Sequence, residues 1–142
     1  MKVIALIVLA AAVAVPAATA GTPQTLRMTS VQTGFATSRT FTKAAPPRIG
    51  DQLIFQDALY SGGARLGSAE NVCTIVSNAR IQCLLTAHLP KGDVVLSGSI
   101  PKNAKVSHFA VVGGVGAYAD AQGEATGKDV SETRSLVELR LR

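Results

Sequence analysis

The chain has 142 residues, with 14 Lys and Arg against 9 Asp and Glu and a formal charge of +5. That length suits one domain. The basic residues are scattered (Arg27, Arg39, Lys43, Arg48, Arg65, Arg80) and only 4% of residues are aromatic, so the charged stripe and stacking platform of a nucleic-acid binder are missing.

The first twenty residues read as a cleaved signal peptide. Lys2 supplies a positive start, Val3 to Val15 is an unbroken apolar run, and Pro16 stops any helix. Ala18-Thr19-Ala20 fits the small-x-small pattern for cleavage between Ala20 and Gly21. The apolar run of thirteen residues is shorter than the about 20 needed to cross a bilayer, and no cysteine follows for lipid attachment. A secreted, extracytoplasmic protein without a stable membrane anchor is expected. Loss of residues 1–20 leaves 122 residues and, with Lys2 gone, 13 basic minus 9 acidic, or +4. A chain of that size buries roughly two-thirds of its unfolded surface in one core.

Beyond the leader, helical periodicity is absent and short β-branched runs alternate with period two. Thr25 to Thr33 is the first expected strand, and Pro46-Pro47 holds Ser38 to Gly50 as a loop. Asp51 to Tyr60 follows, with Leu53, Phe55 and Leu59 on one face. Ser61-Gly62-Gly63 turns the chain into a short strand at Arg65 to Ser68. Val72 to Val76 and Arg80 to Leu89 form a hairpin across Ser77-Asn78-Ala79. Lys91-Gly92 turns into Asp93 to Ile100, Pro101 to Lys105 leads to Val106–Val112, and Gly127-Lys128-Asp129 is read as a further loop. Thr133 to Arg142 closes the chain, with Val137, Leu139 and Leu141 inward. Seven to nine strands without a helix imply an all-β closed barrel or a sandwich.

The hairpin also bears on the two cysteines. A three-residue connection pairs residue i with residue 156 − i, an estimate about the turn centre that sets Cys73 opposite Cys83. Export makes an oxidising compartment, so a disulfide is expected. No metal site is expected, because two cysteines need neighbouring histidines and His88 and His108 do not lie at finger spacing.

After the Val106–Val112 run comes Gly113-Gly114-Val115-Gly116-Ala117-Tyr118-Ala119-Asp120-Ala121-Gln122-Gly123. Gly113, Gly114, Gly116 and Gly123 mark a sharp bend where backbone meets backbone closely. Gly114 to Ala119 also fits G-x-G-x-x-A, with Glu138 about twenty residues on, the outline of a dinucleotide fingerprint. That mechanism needs a helix starting at the glycines. Asp120, Gly123 and Gly127 oppose one, and no βαβ unit surrounds the match.

The glycine segment resembles the signature of the allene oxide cyclase barrel-like and dirigent-like superfamily, roughly G-G-T-G-x-[YF]-x-x-A-x-G. Gly50-Asp51 with Phe55, Arg65-Leu66-Gly67, Val72-Cys73, and Cys83 to Leu89 with Lys91-Gly92-Asp93-Val94 resemble its other segments, so the likeness covers residues 49–142. Val115 stands where the family has Thr, and Ala117 where a basic residue is common. The resemblance implies an antiparallel barrel of about eight strands around a mostly apolar cavity. It also implies a small hydrophobic molecule as partner, no metal or organic cofactor, assembly as a dimer or trimer, and cyclisation or isomerisation guided by confinement.

Three polar residues are candidates for such a role. Asp57 shares a face with Leu53, Phe55 and Leu59, which are expected to line the cavity, and burial there would raise its pKa; the plainer alternative is a solvated carboxylate near a strand end. His108 alternates with Val106, Ala110 and Val112, which turns it toward the apolar side, as a core, rim or catalytic group. Tyr118 could direct its hydroxyl into the cavity or pack beneath the glycine bend. His88, with Gln82 and Thr86, is expected outside. No G-x-S-x-G elbow or Cys–His pair supports hydrolysis. Leu84-Leu85, Val94-Val95-Leu96 and Val111-Val112 are apolar on both faces, so a homo-oligomer is expected. A cyclising or isomerising barrel needs a cavity with an ionisable group, a carrier or scavenger needs the cavity alone, and a structural interaction module needs none.

Overall fold

The computed structural model describes residues 22–142; the expected signal peptide and the cleavage site expected between Ala20 and Gly21 lie outside the described residues. Eight strands form one closed antiparallel barrel: β1 (Gln24–Thr37), β2 (Gln52–Ser61), β3 (Ala64–Ile75), β4 (Arg80–Leu89), β5 (Gly92–Pro101), β6 (Val106–Gly114), β7 (Gly123–Ser131) and β8 (Arg134–Leu141). Each strand pairs with the next, and β8 returns to β1 with Leu26 facing Leu139 and Met28 facing Val137. Closure satisfies both edges that an open sheet would expose. Among the described residues the only helical piece is a single 3₁₀ turn at Gly116–Tyr118, so no helix follows the glycines as a dinucleotide site requires.

Two expectations are corrected. Arg65–Ser68 and Val72–Val76 are parts of one strand, because Ala69, Glu70 and Asn71 continue the ladder opposite Asp57, Gln56 and Phe55. Gly127–Asp129 is not a loop. Gly127 pairs with both Ser107 and Val137, and the chain reverses at Glu132-Thr133 instead. Glycine there reflects a strand position without a side chain, a use that composition does not separate from a turn.

Up-and-down order gives the barrel two distinct ends. The connections 62–63, 90–91 and 115–122 lie at one, and those at 38–51, 76–79, 102–105 and 132–133 at the other. The first end is filled. Met28, Leu59, Ala69, Ala87, Leu89, Val94, Leu96, Val111, Ala125, Leu139 and Leu141 form one buried cluster, which Tyr118 joins. The glycine bend closes that end. Val115 and Ala117 donate backbone hydrogen bonds to the Asp93 and Lys91 carbonyls, both 2.9 Å. Gly116 adopts φ +65°, and a Cβ on Gly114 would collide with the Tyr118 carbonyl and stand 2.5 Å from that of Asp93. Glycine is therefore required where the β6–β7 connection folds across the barrel floor.

Candidate functional site

The second end is open. A cavity of about 360 Å³ enters the barrel there, past the 102–105 and 132–133 connections. Its wall is apolar at Phe55, Ile81, Leu85, Ile100, Phe109 and Val137. Polar side chains break that wall at Ser30, Gln32, Asp57 and Asn71. Lys102, Lys105 and Arg134 stand at the rim with Asp129 and Glu132.

Asp57 is the carboxylate set deepest by register, facing Gln32 of β1 and Ala69 of β3. Burial raises its pKa from the ordinary value, and a hydrogen bond from Ser30 pulls the other way. A carboxyl held in that state can exchange a proton nearer neutral pH than a solvated one.

Cys73 and Cys83 are joined by a disulfide, S–S 2.01 Å, in the cavity wall. Their register is the one expected, with Val72 facing Leu84 and Ile75 facing Ile81 on either side. The Asn71 Oδ1 lies 3.4 Å from the Cys73 sulfur, a contact without a proton to share, since the bridged sulfur carries none. Leu53 packs against this bridge with Phe55, Ile81 and Phe109.

The other expected residues lie elsewhere. Of the three residues expected to line the cavity only Phe55 does so: Leu53 packs against the bridge, and Leu59 belongs to the filled end. Tyr118 is buried in that same cluster, on the far side from the mouth. His108 is on the outside: Ser107 and Phe109 line the cavity, while Val106, His108, Ala110 and Val112 are exposed. The expectation for β6 was inverted because its outer face is itself apolar, with Val112 57% exposed. Hydrophobicity therefore does not mark which side is the lumen.

Two polar constellations were not anticipated. Arg39 grips buried Asp51 with Nε–Oδ1 2.9 Å and Nη2–Oδ2 2.6 Å, and donates to the carbonyls of Ala45 and Pro46. The Arg39 hydrogen bonds hold the Asp51 carboxyl below its ordinary pKa, assisted by the Arg48 backbone N–H. This clamp fixes the 38–50 connection beside the mouth; the partner of Asp51 lies twelve residues away in a segment without periodicity. On the outer wall, His88 sits between two carboxylates, Nε2 2.9 Å from Glu70 and Nδ1 3.0 Å from Asp93. Glu70 and then Asp93 raise its pKa.

No family model matches the chain, and no curated protein matches it by sequence. Solved structures do. A pyocyanin demethylase has TM-score 0.74 at 26% identity, over 84% of this chain and 100% of that chain. The pterocarpan synthase dirigent protein PsPTS1 has TM-score 0.66 at 19% identity, over 84% of this chain and 93% of that one. The Diels-Alderase AbmU from Streptomyces koyangensis has TM-score 0.61 at 15% identity, over 86% and 70%. The last two share the fold alone. The barrel is thus similar to those of dirigent-like and cyclase-like proteins, a broader likeness than to allene oxide cyclases.

Proposed function

We propose that this chain is an exported barrel that takes a small hydrophobic molecule into its open end and guides a cyclisation or isomerisation there. The carrying observation is Asp57, a carboxylate with a pKa raised by burial, placed in a cavity whose apolar wall is built by Phe55, Ile81, Leu85 and Phe109 and whose other charged residues stand at the rim. The apolar wall would select conformations of the bound molecule and exclude water. Asp57 in its acid form would donate a proton to one atom of the ligand. The resulting carboxylate would take a proton from a neighbouring atom, leaving the enzyme as it began. The residues need no metal or organic cofactor for such a step. Likeness to a pyocyanin demethylase and to cyclase barrels supports a reactive small molecule as the ligand class.

The test is native mass spectrometry of molecules retained on purification, followed by incubation of the recovered molecule with wild type and Asp57→Asn. Conversion by wild type alone supports the reading. Equal conversion by both removes Asp57 from the mechanism, and retention without conversion leaves a carrier.

A homo-oligomer belongs to the same reading. Ile54, Val72 and Leu84 stand side by side across the outer wall of β2–β4, with Leu84 55% exposed. The opposite wall carries the ion pairs of Arg27 and Arg140 with Glu138 and of Arg140 with Glu124. An uncharged apolar row sets no repulsion against a second copy.

A further inference from the structure

The chain has four phenylalanines, and three of them gather at the mouth half of the barrel. Phe55 and Phe109 line the cavity. Phe35 lies against Phe55, ring centroids 5.1 Å apart and planes at 45°. It reaches that place through a break in the β1 ladder. Up to Gln32, β1 turns its even-numbered residues inward, with Met28 buried and Ser30 and Gln32 lining the cavity. Continued alternation would leave Phe35 outside. Instead Thr33 is skipped: Gln32 faces Asp57, whereas Gly34 faces Gln56 and Phe35 faces Phe55. Such a bulge re-aims every side chain that follows it. Directly opposed residues share a face, so Phe35 joins Phe55 on the lumen side.

Phe35 remains 56% exposed, so much of its ring is not used by the core. That surface stands beside Phe55, next to but not among the residues that line the cavity, and a ligand reaching past Phe55 would cover it. We propose that Phe35 is a specificity-determining contact of the cavity, laying its ring against a flat aromatic portion of the bound molecule and favouring flat rings over globular aliphatic groups. The inference rests on the small-molecule reading above and adds to it a residue and a ligand shape.

Two probes and three variants test it: acridine, a flat tricyclic ring, and adamantan-1-ol, a globular aliphatic, each measured by equilibrium dialysis. The expected result is that Phe35→Ala weakens acridine by about 2- to 12-fold, the range for an aromatic pair beyond its area. It should leave adamantan-1-ol unchanged, while Phe35→Trp keeps acridine binding. Ser107→Phe, which narrows the lumen, should weaken both probes. Unchanged acridine affinity in Phe35→Ala, or equal loss of both probes, overturns the role of Phe35, and a persisting effect of Ser107→Phe then leaves the cavity reading standing. Failure of wild type to bind either probe, or binding insensitive to Ser107→Phe, overturns both together. Because Phe35 is mostly outside the core, its truncation should leave the melting temperature close to wild type, which separates lost contact from lost fold.

Discussion

Cys73 and Cys83 face each other across β3 and β4 with their Cα atoms 4.0 Å apart, and their bridge forms part of the wall that Phe55 and Phe109 complete. One covalent link therefore ties the hairpin and shapes the cavity.

Closing a loop of about eleven residues removes entropy from the unfolded chain worth roughly 2.8 kcal/mol in the chain-entropy account. The Cys73→Ala, Cys83→Ala double variant should lose about that much stability, read as a lower urea midpoint with similar slope. A midpoint that does not move would mean the bridge adds nothing to the folded state.

Two adjacent glycines should behave in opposite ways. An alanine at Gly114 would drive its Cβ into the Tyr118 and Asp93 carbonyls, whereas one at Gly113 would meet nothing within 4 Å. Gly114→Ala should cost about 1–3 kcal/mol through backbone displacement, and Gly113→Ala no more than about 0.5 kcal/mol. Denaturant unfolding of the pair checks the contrast. Similar effects at both positions would show that the close approach at the barrel floor is not limiting.

Asp57 should trade stability for chemistry. Its folded pKa lies above the unfolded value near 3.8, because burial disfavours the charge. As pH rises the unfolded chain ionises first, so stability falls between the unfolded and folded pKa values and stays lower above them. Asp57→Asn carries no charge to desolvate. It should melt above wild type at about pH 7 and lose that advantage in acid below the unfolded pKa, as differential scanning calorimetry would show.

His88 has the opposite sign from a depressed carboxylate. Its folded pKa is raised above 6.5 by Glu70 and Asp93, so it contributes stability fully below 6.5 and loses it as pH climbs through the folded value. His88→Gln should flatten the slope of melting temperature from about pH 6.5 upward through the raised folded pKa. The effect is small, since the imidazole side chain is 39% exposed. An unchanged slope would assign it to other groups.

Sequence alone determined the β class, the position of most strands and the Cys73–Cys83 register, because period two, turn residues and hairpin length are local properties. It also placed Phe55 and Asp57 on one face of one strand, since nothing interrupts the alternation of β2. Tertiary structure decided which side of each strand is the lumen and how far the lumen is filled. On β6 both faces are apolar, so only closure could put Phe109 inside and His108 outside. The skipped residue at Thr33 and the grip of Arg39 on Asp51 depend on a neighbouring strand or a distant partner. Register across a barrel is settled by all strands at once, and no window along the chain contains that information.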